Sequence, residues 1–590
     1  MASAAAVAGL RTSAGHACSG SRRAFVTRAR PIPSLNRTSL VAQQSFRRAF
    51  ADAAEPPKKK RFPFLRWARR LTYVYVVGGA VFLAYQIYDL RHPSDQQEPG
   101  PDKKTLVVLG SGWGAVSLLK KLDTENYNVV VISPRNFFLF TPLLPSCTTG
   151  TIEHRSIMEP LRNILRHKKA AVKFYEAEAT KIDHEKKVVH ISDDSDIKGD
   201  ISQTEVPYDM LVVAVGATNA TFGIPGVREH SCFLKEVGDA QAIRKKIMDC
   251  VETATFKDQS PEEIERLLHM VVVGGGPTGV EFAGELQDFF EEDLKKWIPE
   301  ITDKFHVTLV EALPNVRNTC WIPEVLGRIA DNCFKVLPMF SKTLIDYTEK
   351  VFNDEKITVR TKTMVKKVTD KTIEAEVTRP DGSKSLEIMP YGLLVWATGN
   401  AIRPVVRDLM SRIPAQKNSR RGLAVNEYLV VDGTENIWAL GDCSSTKYAP
   451  TAQVASQEGA FLARLFNSMA KTQILEEELN RLSELKVAAS DQEEYTRLEA
   501  QVQARGKQLG RVKQMGAFEY THQGSLAYIG SDRAVADISW LNGNFATGGG
   551  LTYLFWRSAY LSMCFSTRNR ILVVVDWLKA KIFGRDVSRE

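Results

Sequence analysis

The apolar run Leu106–Leu109 stops at a glycine turn, SGWG, and the pattern then switches to helical spacing in AVSLLKKL. A run this short, bounded by glycine and followed by period 3.6, predicts a buried strand feeding a helix. The same switch recurs at HMVVV, GGGPTG and VEFAGELQDFF, with its first glycine 164 residues later, Gly110 against Gly274. Each unit is followed by a second apolar strand, YNVVVIS or FHVTLVE. Three further strands end in glycine turns: DMLVVAVGATNATFGIPG (Asp209–Gly226), YGLLVWATGNAIRP (Tyr391–Pro404) and IWALGDCSS (Ile437–Ser445). Strands alternating with helices predict an α/β fold with parallel sheets. Between Gln473 and Gln514 the pattern changes to Glu, Lys, Arg and Leu, which predicts an exposed helical hairpin.

The two glycine turns carry candidate chemistry. Gly110, Gly112 and Ala115 fill the G-x-G-x-x-G/A positions, with Gly114 inside the same turn, and Gly274, Gly276 and Gly279 fill them again. In such a turn the first glycine permits the bend and the second admits a pyrophosphate. The third keeps helix and strand close, and the positive helix end faces the phosphates. The second unit's next strand ends at Glu311, whose carboxylate suits a ribose 2′-hydroxyl and repels a 2′-phosphate, so NADH is expected over NADPH. The first unit ends at Ser133 instead. Gly216 and Gly399 are the turn glycines where the chain crosses between the two units. At Gly441-Asp442 a carboxylate is placed to hydrogen-bond a ribityl hydroxyl.

Composition and charge narrow the setting. At 590 residues the chain is too long for one core. Residues 1–50 hold eight arginines, many Ser and Ala, and no acid before Asp52, the composition of a mitochondrial transit peptide. A basic stretch, KKKRFPFLRWARR, precedes an uncharged run from Leu71 to Tyr88, which is long enough for a membrane span. The positive flank should stay in the matrix and leave the body in the intermembrane space. The net charge of +9 is concentrated in the N-terminal segment, and no nucleic-acid motif accompanies it. Eight scattered cysteines lack metal-site or C-x-x-x-x-C spacing, so neither a metal site nor a dithiol relay is expected.

Taken together, NFFLFTPLLPS (Asn136–Ser146), GGGPTGVEFAGEL, ALGDC and PTAQVASQEG (Pro450–Gly459) resemble type II NADH:quinone oxidoreductases. The likeness covers about residues 104–470 and 515–585, and the presequence with a span resembles the fungal mitochondrial external form. The resemblance implies two Rossmann-like, glutathione-reductase-type domains. FAD would bind in residues 104–230 and 395–470, and NADH in 231–394. A charged insertion would fill 471–514 and a membrane-associated helical region 515–590. It further implies that Thr141, Pro142 and Leu143 line the isoalloxazine, that Glu281 sits near flavin and nicotinamide, and that Ser133 is tolerated in place of an acid. Gln453 and Gln457, one helical turn apart, would border the quinone pocket. The implied reaction is hydride transfer from NADH to FAD, then two electrons to ubiquinone, without proton pumping.

Other segments read differently. DSDIKGDISQTE (194–205) imitates a calcium loop, but Lys198 stands at a ligand position and the flanks read as strands, so a β-hairpin turn is expected. The C-terminal stretch LTYLFWRSAYLSMCFSTRNRILVVVDWLKAKIFGR interleaves aromatic and basic residues, which suits an interfacial helix pair on inner-membrane lipid. The same pattern fits a core-packed pair or a homodimer contact. Two rival functions remain at this stage: an apoptosis-inducing-factor-like flavoprotein, and a reductase serving an iron–sulfur protein.

Overall fold

A computed structural model describes residues 63–312, 337, 339–379, 381–489, 491–540 and 543–589. The expected transit peptide lies outside them. The chain divides into an N-terminal unit ending at Tyr85 and a body from Gln86 onward. Helix α1 (Pro63–Arg91) contains that boundary. Its segment Arg70–Asp89 is 20 residues long with mean hydropathy 1.4 and none of it buried, so by length and composition it is apolar enough to cross a membrane.

The body begins with β1 (Thr105–Leu109), the Gly110–Gly112 turn and α2 (Trp113–Lys121). β2 (Asn128–Ser133), β3 (Lys173–Glu176) and β4 (Met210–Val213) follow. A short strand, β5 (Ala217–Asn219), leads to β6 (Cys232–Phe233), α3 (Val237–Ala254) and β7 (His269–Val273). After the second glycine turn come α4 (Pro277–Phe289), β8 (His306–Val310), β9 (Thr358–Arg360) and β10 (Leu393–Trp396). β11 (Asn400–Ile402) returns the chain toward β12 (Ile437–Ala439).

Two five-stranded sheets result, ordered β12-β4-β1-β2-β3 and β6-β10-β7-β8-β9, and every pairing within them is parallel. The strand sequences explain why. Leu106 and Val108 join one apolar core while Val107 and Leu109 join another, and all four are fully buried. A strand covered on both faces has no use for alternating polar residues, so its sequence is a continuous apolar run. β7 does the same, with Met270 and Val272 on one side and Val271 and Val273 on the other. Between the sheets, β5 and β11 form an antiparallel two-stranded ribbon, Thr218 opposite Ala401. The expected calcium-like loop connects two antiparallel strands, Val188–Ser192 and Gln203–Pro207, as a hairpin.

Beyond the second sheet the chain departs from its sequence reading in two ways. α5 (Ala452–Ala488) is one continuous helix of 37 residues, so the charged insertion has no break at residue 471. α6 (Gln492–Lys513) folds back on it, joined by ion pairs such as Lys486–Glu499 at 3.1 Å and Arg505–Glu478 at 3.1 Å. An antiparallel sheet of β13 (Ser525–Tyr528), β14 (Ala534–Trp540) and β15 (Gly543–Gly549) then precedes α7 (Gly550–Met563) and α8 (Thr567–Phe583).

Candidate functional site

The glycine turns behave as their spacing requires. A Cβ on Gly110 would stand 2.4 Å from the Ala214 carbonyl, and its φ of +111° is open to glycine at little cost. At Gly112 an added Cβ meets nothing within 4 Å, because the position faces a cavity. That cavity, about 390 Å³, is lined by Gly110–Gly114, Ser133, Thr141, Gly216 and Gly441-Asp442. Gly114 serves a separate purpose: its Cβ would lie 1.9 Å from the Leu440 side chain, and the Gly459 Cβ would lie 2.1 Å from the Gly114 carbonyl. α2 and α5 therefore cross backbone to backbone. Beside this crossing Phe461, Leu462 and Phe466 are buried, each contributing about 1.5–3 kcal/mol by burial.

The second turn repeats the plan. Gly274 has φ +123° and a Cβ there would sit 2.7 Å from the Ala397 carbonyl; at Gly276 a Cβ again meets nothing; at Gly279 it would collide with the Gly274 carbonyl at 2.0 Å. The adjoining cavity, about 280 Å³, is lined by Gly276–Thr278 and Trp396–Asn400, including Gly399. Glu311 closes this turn by accepting the Gly275 N–H at 2.7 Å. Leu234, Lys235 and Thr278 line both cavities, so the two spaces share a wall.

The charged groups at this wall form a connected set. Glu236 pairs with Arg135 at 2.5 Å and with Arg403 at 3.7 Å. The Lys235 ammonium donates to Asn400 Oδ1 at 2.7 Å, and burial holds its pKa below the usual lysine range. Burial pushes the Asp442 carboxyl up while Lys235 draws it back. Beneath this turn Glu458 accepts the Gly441 N–H at 2.6 Å, and burial raises its pKa to about 7.

The expected residues fall into place unevenly. Thr141 lines the first cavity and accepts the Trp113 Nε1–H at 3.0 Å, whereas Leu143 is wholly buried beneath it. Leu144 and Pro145, not Pro142 and Leu143, continue that wall. Ala115 is fully buried against the strands, as a close helix–strand contact needs. The Ser133 hydroxyl donates to Ser111 at 2.9 Å and accepts the Arg135 N–H, so it braces the turn from inside. Glu281 lies one turn beyond Thr278, buried, with the Tyr528 N–H at 3.3 Å. Burial raises its pKa to about 8. Gln453 and Gln457 do share a face, but both amides are engaged: Gln453 donates to the Gly524 carbonyl at 2.9 Å, and Gln457 donates to the Thr521 carbonyl at 2.8 Å. They fasten the 520–524 segment over the start of α5.

Comparison with known proteins decides the family. The pyridine nucleotide-disulphide oxidoreductase model matches residues 104–459, and the NDH2 C-terminal domain model matches residues 522–586. A relative from Yarrowia lipolytica named external alternative NADH-ubiquinone oxidoreductase, mitochondrial, is 61% identical over 90% of this chain and 89% of its own. The external NADH-ubiquinone oxidoreductase 2 of Saccharomyces cerevisiae is 44% identical over 89% of this chain and 91% of its own. The structure of NDH2 from Plasmodium falciparum in complex with NADH superposes with a TM-score of 0.67 at 27% identity, covering 82% of this chain and all of that one.

The chain is a type II NADH:quinone oxidoreductase.

Membership bears out the resemblance, the two-domain α/β fold and the pairing of FAD with NADH. It also draws attention to residues that motif reading passed over. Trp113, Arg135, Lys235, Glu236 and Arg403 all line the first cavity. Only Trp113 had a local signal, since it follows the second turn glycine directly. The others come from segments up to 290 residues away, and no spacing rule links them.

Proposed function

We propose that this chain takes hydride from NADH and delivers two electrons to ubiquinone at the surface of the inner mitochondrial membrane, with its body in the intermembrane space. The observation that carries this reading is the wall of Leu234, Lys235 and Thr278 shared by the two cavities, which sets two nucleotide sites in contact. FAD in the first cavity supplies the hydride acceptor and the two-electron store.

The protein's own groups do the rest. The N–H-rich starts of α2 and α4 bind pyrophosphates at Gly112 and Gly276. Asp442 holds a ribityl hydroxyl, and Glu311 takes the NADH ribose. Burial favours the protonated form of Glu281 at neutral pH. Gln453 and Gln457 keep the 520–524 segment at the acceptor end.

Membrane attachment has two supports. α1 is apolar enough to span. On the body, α7 and α8 bury Tyr553, Trp556, Val573 and Trp577 but expose Leu551, Leu554, Leu578, Ile582 and Phe583. An apolar face beside Arg568, Lys579 and Lys581 suits an anionic lipid surface.

Two measurements test the reading. Purified protein should oxidise NADH rapidly with a soluble ubiquinone analogue and no added protein, and intact mitochondria should oxidise added NADH. Slow turnover with quinone would favour an apoptosis-inducing-factor-like role; a requirement for an added protein would favour an iron–sulfur partner. Deleting residues 1–100 should leave flavin bound and binding to anionic vesicles intact. Complete solubility of that variant with normal quinone activity would reject the lipid face of α7 and α8.

A further inference from the structure

Hydride transfer moves charge as well as electrons. The nicotinamide ring is neutral in NADH and positive in NAD⁺, while an acceptor that gains hydride and no further proton becomes negative. The transfer also needs the two rings in contact, with the reacting atoms about 3–3.5 Å apart. Only a wall common to both cavities can border both rings at once. That wall is Leu234, Lys235 and Thr278. Leucine and threonine carry no charge, so among the described residues Lys235 is the one fixed charge on it.

Lys235 lies in the link between β6 and α3. The link is pinned at its backbone, because the Asp239 carboxylate accepts the Lys235 N–H at 2.9 Å and the Glu236 N–H at 2.8 Å. Leu234 beside it is buried. The ammonium then reaches Asn400 Oδ1 at 2.7 Å, and Asn400 opens β11 and lines the second cavity. The charged groups acting on Lys235 are Asp442, Arg403 and Glu236. Glu236 is already taken by Arg135 at 2.5 Å and by Arg403 at 3.7 Å. The hydrogen bond of Lys235 goes instead to a neutral amide. Its charge is therefore held in place without being cancelled by contact. Bound nucleotides would cover this wall and exclude water, and a charge in such surroundings acts more strongly than in solvent.

We propose that Lys235 is the fixed cation of hydride transfer: it offsets the negative charge that the flavin gains and repels the positive ring of NAD⁺, with Asn400 as its post. The inference rests on the NADH:quinone reading above. The step is NADH + FAD → NAD⁺ + FADH⁻. The nicotinamide C4–H bond breaks, the flavin N5–H bond forms, and two electrons travel with the one hydrogen. No other proton is needed, so the whole change of charge falls across the wall that Lys235 occupies.

Lys235→Met in the full-length enzyme keeps the stem and removes the charge. Two equilibria, neither of them a turnover rate, read the result. Measured against a reference dye without nucleotide, the flavin of the variant should be harder to reduce by about tenfold in the equilibrium constant. NAD⁺ titrated into the oxidised enzyme should bind about threefold tighter, while tetrahydro-NADH, an unreactive analogue with a neutral ring, should bind as before. Lys235→Arg, which keeps the charge, should return both values toward those of the unmodified protein. An unchanged dye equilibrium, or equal tightening of NAD⁺ and the neutral analogue, would overturn the proposal. If Lys235→Met loses its flavin, Asn400→Leu, which removes the post, is measured in the same two ways; unaltered values there overturn it too. Failure of the unmodified enzyme to reduce quinone would instead remove the parent reading.

Discussion

The two nucleotide units share a turn but surround it differently. The cavity of the first is walled by segments from across the sequence, among them Gly110–Gly114, Ser133–Arg135, Lys235-Glu236, Arg403–Val405, Gly441-Asp442, Pro450–Ala452 and Ala455. That of the second is walled by its own turn, by Trp396–Asn400 and by a few residues shared with the first. A ligand held by so many separated segments leaves only if several of them part. One held by two loops beside a hinge ribbon can come and go. On the proposed assignment, the same strand–turn–helix serves a resident cofactor in one place and a consumed substrate in the other. The helices differ as well, since α2 buries no acid while α4 buries three carboxyls.

Substitutions can break that contrast. Gly112→Val places a side chain in the first cavity and should strip the protein of most of its flavin, read as flavin absorbance per protein. Gly276→Val is the matched change in the second unit. It should leave flavin bound and raise KM for NADH at least tenfold, so equal flavin loss in both variants would erase the distinction. Glu311→Gln should narrow the preference for NADH over NADPH by about tenfold, about 1.4 kcal/mol, through loss of repulsion toward a 2′-phosphate. Steady-state kcat/KM for both nucleotides measures it. A separate effect, on stability instead of catalysis, belongs to α4 alone. Glu281 has a folded pKa of about 8, raised from 4.5, so the folded state keeps a proton that the unfolded chain releases. Stability from this group is therefore full below the unfolded value and is lost as pH rises through about 8. Glu281→Gln should raise the thermal midpoint at pH 8 more than at pH 5, by roughly 3–4 kcal/mol of relative stability.

What the sequence made legible was local. Leu106–Leu109 and His269–Val273 announced themselves because strands buried on both faces are uninterrupted apolar runs, and the glycines because backbone contacts at 2.0–2.7 Å admit nothing larger. β15, GNFATGG, was invisible: three of its seven residues are glycine, and strand signals rest on branched and aromatic side chains. The facing of Gln453 and Gln457 followed from helical spacing, but their partners at Gly524 and Thr521 lie across the α5–α6 hairpin. The same holds for the cavity wall, where Glu236 joins Arg135 to Arg403 across 268 positions of sequence. Pro142 and Leu143 were assigned to the wall as part of a contiguous motif, yet the tight turn alternates direction, burying Leu143 and presenting Thr141.

α5 runs unbroken from the cavity wall at Ala452 to Ala488. At 1.5 Å per residue it is a rod about 55 Å long, pivoted near one end where Gly459 crosses α2. About 43 Å of it extends past that pivot, so a tilt of one degree at the crossing moves the far tip by about 0.7 Å. The helix is a pointer: displacements of the cavity wall too small to resolve directly are magnified at Ala488, where a pair of distance labels would read them.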